Sequence, residues 1–391
     1  MLILDNLALF ILIRWYQYSK RKEQRDKKYL EIKECFINCM EGAQFLDKNS
    51  IKTLYRKSKP LIYIESSSGG STGVPTTVKQ SLFYWIINRA QKKLIYFNSS
   101  GSIYPRVLKL WGEDSNKRSF KQKIRLILTR TIQIDTFRMN SEKYQGIIKL
   151  IDKTKPDIIE GYASSLYELT RNISKYPSHN PSAIISSAGV LSPQLMTALR
   201  KYFPKSAIVN RYGSREVGDI AWGISPPTSF ELPILNINDF SHRVEILRDD
   251  GEIVDEGTGA ILVTCLTNSA MPIYRYNLGD RVTISQDGRI QEVIGRTVDV
   301  FKGLSGELVD GEYFTHLLYG RDEVSSFQII QRSEGIFINI HCENSRVQDQ
   351  VKTDFRNHVS KILPGVSLFF QFNKPFEKDP SGKIRFTRCD I

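Results

Sequence analysis

From residue 61 onward the chain alternates between short apolar runs, at 61–64, 126–129, 157–159, 183–186 and 206–209, and helical stretches such as Phe83–Lys93 and Ser141–Lys153. This rhythm predicts an α/β fold in which helices cover sheets. Ser192 ahead of Pro193–Leu199 reads as an N-cap with proline at the first helical position. From about 242 to 294 the texture turns strand-rich. Val244–Leu247, Ala260–Thr264 and Val282–Ile284 alternate with turns at Asp249-Asp250-Gly251 and Gln286-Asp287-Gly288, which are hairpin signals. The C-terminal part reads as a small α+β unit, with strands at 325–331, 336–341 and 366–372 and a helix over Arg346–Leu363. Residues 1–60 read as helical. The expected organisation is therefore a helical N-terminal region (1–60), a large α/β domain with a β-rich subdomain (61–295) and a small C-terminal domain (296–391).

A chain of 391 residues can bury a large core, and 41% hydrophobic with 25% charged residues is ordinary for a soluble globular protein. The net charge of +13 favours anionic partners. No basic tail or nucleic-acid motif accompanies it, so nucleic acid is not expected as a partner. The five cysteines are scattered and complete no zinc set, which suits free thiols in a cytoplasmic protein. Residues 1–13 are mostly apolar but too short to span a bilayer, and the basic run Lys20–Lys28 follows rather than precedes them. A buried amphipathic helix is the plain reading of residues 1–28. Peripheral contact with a membrane surface or a biosynthetic complex is the alternative.

The loop Ser66-Ser67-Ser68-Gly69-Gly70-Ser71-Thr72-Gly73-Val74-Pro75 is rich in glycine and hydroxyls. Glycine lets backbone N–H groups approach phosphate oxygens, and serine and threonine add donors. A Ser/Gly-rich stretch is also a common linker. Val74 follows Gly73 where a Walker loop would have lysine, so P-loop chemistry is not expected. Further polar clusters follow: Asn210–Gly218, Pro272–Arg281, Gly295–Asp299 and Pro380–Arg385.

In order and spacing these segments resemble the adenylate-forming superfamily of acyl-CoA synthetases, adenylation domains and luciferases. Trp111-Gly112-Glu113, Glu160–Leu166, Ser187–Leu191 and Tyr212-Gly213-Ser214-Arg215-Glu216 resemble its phenylacetate–CoA ligase-like branch, especially the capsular polysaccharide biosynthesis (CapK-like) subgroup. The resemblance implies a large adenylate-forming domain and a small mobile C-terminal lid. It also implies an ATP-dependent ligase that activates a carboxylic acid as an acyl adenylate and passes it to coenzyme A or another acceptor. Ser67, Ser68, Gly69, Gly70, Ser71, Thr72 and Gly73 would hold the β- and γ-phosphates. Tyr212, Gly213, Ser214 and Arg215 would face the nucleotide, and Glu216 would orient Mg²⁺. Asp280 would accept hydrogen bonds from the ribose, and Arg296 would contact ribose and phosphate. Lys383 would bridge the α-phosphate and the acid. Tyr162, Ser187, Ala188 and Gly189 would line the acid pocket. Gly69, Thr76 and Val298 depart from the superfamily's common residues, and Val298 lies at the hinge expected over Thr297–Asp299. A catalytically degenerate nucleotide-binding scaffold in a polysaccharide biosynthetic complex is the competing reading.

Overall fold

The computed structural model describes residues 22–39, 43–67, 77–111, 120–136, 141–295, 300–318, 324, 326–342, 344–377 and 387–391. The chain separates into two compact units, one drawn from residues up to Ile294 and the other mainly from Gly295–Ile391.

The first unit is built on a seven-stranded sheet of order β4-β3-β5-β6-β7-β8-β9. Its strands are β3 (Val107–Trp111), β4 (Thr131–Asp135), β5 (Ile158–Tyr162), β6 (Ala183–Ser187), β7 (Ala207–Ser214), β8 (Gly218–Ser225) and β9 (Asn236–Ile237). β3, β5, β6 and β7 run parallel, while β8 and β9 are antiparallel. Parallel strands buried on both faces carry continuous apolar runs, as Ile158-Ile159 and Ala183-Ile184-Ile185 do.

One face is covered by helix α3 (Leu82–Ser100). Ser81 caps its start by accepting the Tyr84 N–H, and Gly101 ends it at φ 73°, the left-handed conformation glycine adopts without a Cβ clash. Ile95 and Tyr96 of α3 pack on Val107, Ile158, Ala183, Ile185 and Val209. Each fully buried Ile or Val contributes about 1.5–3 kcal/mol relative to exposure. Helix α6 (Ala163–Arg171) packs on β3, β5, β6 and helix α7 (Pro193–Tyr202). Ser192 accepts the Leu195 N–H at 3.2 Å with Pro193 in the first turn, as expected.

The same unit contains an antiparallel sheet of order β11-β10-β12-β13-β14. Its strands are β10 (His242–Leu247), β11 (Ile253–Val254), β12 (Gly257–Cys265), β13 (Tyr276–Ile284) and β14 (Ile290–Gly295). Its core takes in Ile32 and Phe36 of helix α1 (Lys22–Cys39), Ile51 and Leu54 of helix α2 (Lys48–Lys57), and Ile220 and Ala221 of β8. A hairpin of β1 (Ile64–Ser67) and β2 (Thr77–Gln80) pairs Ser67 with Thr77. Helices α4 (Phe120–Leu128) and α5 (Ser141–Thr154) complete the unit.

The second unit has a four-stranded sheet of order β19-β18-β17-β20, formed by β17 (Ser326–Arg332), β18 (Gly335–His341), β19 (Leu368–Phe372) and β20 (Thr387–Cys389). Ile336, Ile338 and Ile340 alternate onto one buried face. Helix α9 (Ser345–Ile362) sends Phe355 into an aromatic cluster with Phe314 of helix α8 (Gly311–Leu318) and Phe301 of strand β15 (Val300–Lys302). β15 pairs with β16 (Leu308–Asp310).

Two apolar runs differ from expectation. Leu61, Ile62 and Tyr63 precede β1 instead of forming a strand, and Leu61 is wholly exposed. Residues 126–128 belong to α4, and the sheet strand begins only at Thr131. A four-residue apolar run carries no period long enough to separate strand from helix.

Candidate active site

The carboxyl ends of the parallel strands in an open α/β sheet form the usual ligand crevice. Register places Tyr162 of β5 beside Ser187 of β6, and Ser187 beside Arg211 of β7. Because side chains alternate, Lys109 and Trp111, Glu160 and Tyr162, Ile185 and Ser187, and Val209 and Arg211 point to one face. Trp111 and Tyr162 meet with ring centroids 4.1 Å apart. Beyond Ser187 the chain passes through Ala188 at φ 49° and Gly189 at φ 146°. A Cβ on Gly189 would lie 3.2 Å from the Ala163 Cβ. The four residues expected in an acid pocket are thus neighbours. The Ser187 hydroxyl is buried and has no hydrogen-bond partner among the described residues. A buried polar atom left in that state is costly and suits a ligand contact.

The next element is the β7–β8 hairpin carrying Tyr212-Gly213-Ser214-Arg215-Glu216-Val217-Gly218. Its pairing slips between Tyr212 and Gly213. A Cβ on Gly213 would sit 2.3 Å from the Gly218 carbonyl oxygen. Gly218 is at φ 86°, and a Cβ there would meet Asn88 Oδ1 at 2.3 Å. Gly213 is therefore required by space, because the clash is with backbone, and Gly218 by its dihedral. The tight turn holds Glu216 at 7% exposure. Glu216 makes no ion pair with Arg215 and no hydrogen bond among the described residues.

The turn rests on buried polar groups. His242 Nε2 donates to the Val217 carbonyl at 2.6 Å, and its Nδ1 lies 2.9 Å from the Ser241 hydroxyl. Gln91 donates to Ser241 Oγ at 2.8 Å, and Asn238 Nδ2 donates to the Asp219 carbonyl at 2.7 Å. Burial pushes the His242 pKa down to about 4, against its bond to Val217. The imidazole is neutral at physiological pH. Tyr212 reaches across to β13 and donates its hydroxyl to Asp280 Oδ2 at 2.8 Å. Gly279, at φ 85°, turns the chain just before Asp280, and Asn277 Oδ1 accepts the Gly279 N–H at 2.9 Å.

A charged cluster underlies the strand ends. Glu160 is fully buried and accepts from Tyr96 at 2.6 Å, Lys92 at 3.2 Å and Arg211 at 2.8 Å. Arg211 also donates to Asp219 at 2.8 Å. Burial alone would raise the Glu160 pKa, but Lys92, Lys109 and Arg211 hold it well below the carboxylate range. Burial lowers the Arg211 pKa, and Asp219 and Glu160 more than reverse this. Burial, then repulsion from Lys92, pushes Lys109 down to about 7. Lys92, Lys109, Asp219 and His242 lie outside every motif, and Glu160 and Arg211 stand inside motifs without an expected role of their own. The available signal was an acid inside the apolar run Ile158-Ile159-Glu160 and a lysine inside Val107-Leu108-Lys109-Leu110.

Ser67 ends β1, but Ser68, Gly69, Gly70, Ser71, Thr72, Gly73, Arg296, Lys383 and the hinge expected at Thr297–Asp299 lie outside the described residues, as do residues 1–21. Among the described residues, no helix is long and apolar enough to cross a membrane, and no three His, Cys, Asp or Glu side chains group as a metal site.

No family model matches the chain. It is 22% identical to Protein CapK of Staphylococcus aureus over 367 residues, covering 88% of this chain and 78% of that protein. Its structure matches 2-hydroxyisobutyryl-CoA ligase in the postadenylation state with an acyl adenylate at TM-score 0.50 and 14% identity, over 98% of this chain and 89% of the ligase. An amide bond synthetase, McbA from Marinactinospora thermotolerans, matches at TM-score 0.47 and 16% identity, over 83% of this chain and 70% of that one. The chain thus has the mixed α/β fold of an adenylate-forming ligase.

Proposed function

We propose that this chain is an AMP-forming ligase. In the first step a carboxylate oxygen of the acid attacks the α-phosphate of ATP, the bond to the β-phosphate breaks, and pyrophosphate leaves. In the second, an acceptor nucleophile attacks the acyl carbon and AMP departs. Coenzyme A, an amine and a sugar are all chemically suited acceptors. No protein nucleophile is required. The task is to place donors and cations where charge develops.

The observation that carries this reading is the Tyr212–Asp280 hydrogen bond beside the glycine-locked turn bearing Glu216. Tyr212 takes one acceptor position of Asp280 and orients the carboxylate toward the two ribose hydroxyls; a carboxylate has about four acceptor sites. Tyr212 presents its ring to the base. Glu216 is a buried carboxylate without a protein partner among the described residues, which fits a hard-cation ligand. Mg²⁺ held there would neutralise phosphate charge at the α-phosphate. The Ser67–Gly73 loop cradles the β- and γ-phosphates. Lys383, in Pro380-Ser381-Gly382-Lys383, bridges the α-phosphate and the incoming carboxylate by virtue of its motif. Tyr162, Ser187, Ala188 and Gly189 receive the acid. We read residues 296–391 as the lid domain and assign the work to the cytoplasm, in surface polysaccharide synthesis. The similarity to CapK supports that setting.

The test is pyrophosphate release from ATP and Mg²⁺ with a panel of carboxylic acids. Acid-dependent release that falls at least about 100-fold in Lys383→Ala, with ATP binding retained, supports the reading. ATP binding without release for any acid would reject it in favour of a nucleotide-binding scaffold.

A further inference from the structure

A cavity of about 270 Å³ opens between α3, β3 and α4. Its walls carry Arg89, Lys92, Lys93, Lys109 and Arg125, together with Trp111. None of the described lining residues is acidic. Lys92 is committed to Glu160 at 3.1 Å. Lys109 differs. Its Nζ stands 4.0 Å from the centroid of the Trp111 ring and makes no ion pair or hydrogen bond among the described residues. A largely buried ammonium held among like charges is expensive unless a counter-charge is present. The neighbouring carboxylates, Glu160 and Asp219, are already shared between Lys92 and Arg211. Among the described residues, one cation of this cluster is therefore in excess.

We infer that this cavity binds a second anionic group, a carboxylate or a phosphate, carried by the acid that the enzyme activates. Three observations support this. Trp111 is shared: it lines the cavity and stacks on Tyr162 at the strand ends, so the cavity adjoins the proposed acid pocket. The cavity is smaller than the usual range for drug-sized ligands, which suits one small group rather than a nucleotide. An anion beside Lys109 would replace the missing counter-charge, and Trp111 would hold the ammonium from its ring face. Burial is the main cause of the depressed Lys109 pKa, and repulsion from Lys92, Arg211 and Arg125 adds to it. The inference rests on the ligase reading for the identity of the ligand, but the cavity and its charge stand by themselves.

The experiment uses the full chain and acids matched in length: butyrate with succinate, hexanoate with adipate, and 3-phosphonopropionate as the phosphate-like arm. Binding is measured by calorimetry without ATP, and turnover by pyrophosphate release. The wild type is expected to bind the dianionic member of a pair at least tenfold more tightly. Lys109→Met should remove that advantage while leaving the monoanion's affinity unchanged, and Lys109→Arg should retain it. Arg125→Met, on the exposed side of α4, should reduce it and serves as the variant if Lys109→Met does not fold. A larger gain for succinate or for 3-phosphonopropionate tells carboxylate from phosphate. Equal affinity within every pair, or an advantage that survives Lys109→Met, overturns the inference. Pyrophosphate release with monoanions and dianions alike would reject this inference and leave the ligase reading standing. Lys109-dependent dianion binding without release for any acid would do the reverse.

Discussion

Two buried acid–base clusters in the first unit use the same ingredients differently. On the five-stranded sheet, Glu245 accepts from Arg275 Nε at 3.0 Å and Nη2 at 2.6 Å, and the Tyr29 hydroxyl stands 3.2 Å away. Tyr29 belongs to α1, so this cluster docks a helix on a sheet. Arg275 clamps Glu245, and the second arginine near it, Arg243 at 3.9 Å, also pairs with Asp255 at 3.2 Å and Asp26 at 3.9 Å, so every cation here has an acid and the charges close. Under the parallel strand ends, Glu160 and Asp219 face Lys92, Lys109 and Arg211, and among the described residues the charges do not close. A cluster that only supports the fold has no reason to keep an uncompensated cation at a cavity. A cluster that awaits an anion does.

The largest effect should come from removing an acid. Glu160→Gln leaves Lys92, Lys109 and Arg211 buried with one carboxylate fewer, at a cost of about 3–5 kcal/mol. Glu245→Gln should cost less, about 1–3 kcal/mol, because the Arg275 side chain is 22% exposed and can recruit water. Urea denaturation of the two variants side by side measures the difference. Equal losses would mean that the clusters are structurally equivalent.

His242 tests the strand-end side by pH. Its folded pKa of about 4 lies below the ordinary 6.5, so the unfolded chain binds the proton first as pH falls. Stability should be complete above about pH 6.5 and fall between 6.5 and 4, by about 3 kcal/mol in total. Denaturant midpoints at pH 7.5 and 4.5 for wild type and His242→Gln measure it. The decline should shrink in the variant. An undiminished decline would place the acid sensitivity elsewhere.

A third contrast lies between two hairpins. Gly218→Ala meets Asn88 Oδ1 at 2.3 Å and keeps φ 86°. Gly251, at φ 89° in the β10–β11 turn, has nothing within 4 Å of an added Cβ. Alanine at 251 should cost about 1 kcal/mol, and at 218 roughly 2–3 kcal/mol. The loss of pyrophosphate release should be confined to Gly218→Ala, because only that turn presents Glu216. Similar stability losses at both sites would mean that Asn88 moves aside freely.

The same contrast between local and assembled features decides what could be read in the sequence. Strands β5, β6 and β7 are legible because two-sided burial writes runs such as Ile158-Ile159 and Ala183-Ile184-Ile185. The Ser192-Pro193 helix start is legible because capping is local chemistry. Leu126–Thr129 misled because its apolar residues lie on α4, where Ile127 and Leu128 remain exposed. In the site, the turn Tyr212–Gly218 shows itself through its glycines. The proximity of Tyr212 to Asp280 could come only from a motif, since 68 positions separate them. The charge cluster had only a partial local signature, a charge inside an apolar run at Lys109 and at Glu160. Lys92, Lys109, Glu160, Arg211 and Asp219 come from α3, β3, β5, β7 and β8, and each alone resembles an isolated charge.

The smallest effect concerns the excess cation itself. Lys109 faces Lys92 and Tyr96 from α3, Arg125 from α4, Glu160 from β5 and Arg211 from β7, and burial brings its pKa down to about 7, so its charge changes near neutrality. It is protonated below that value and neutral above it, so any preference for a dianion over its monoanionic partner should be present at pH 6 and weaken at pH 8. Neutralising Lys109 should weaken the preference about tenfold, or about 1.4 kcal/mol. Lys109→Arg, which stays charged, should flatten the profile, and calorimetry at the two pH values would show proton uptake only in the wild type. A preference that is unchanged at pH 8 would mean that Arg89, Lys93 and Arg125 hold the anion without Lys109. The cluster under the strand ends would then resemble the Glu245 cluster more closely than its charge count suggests.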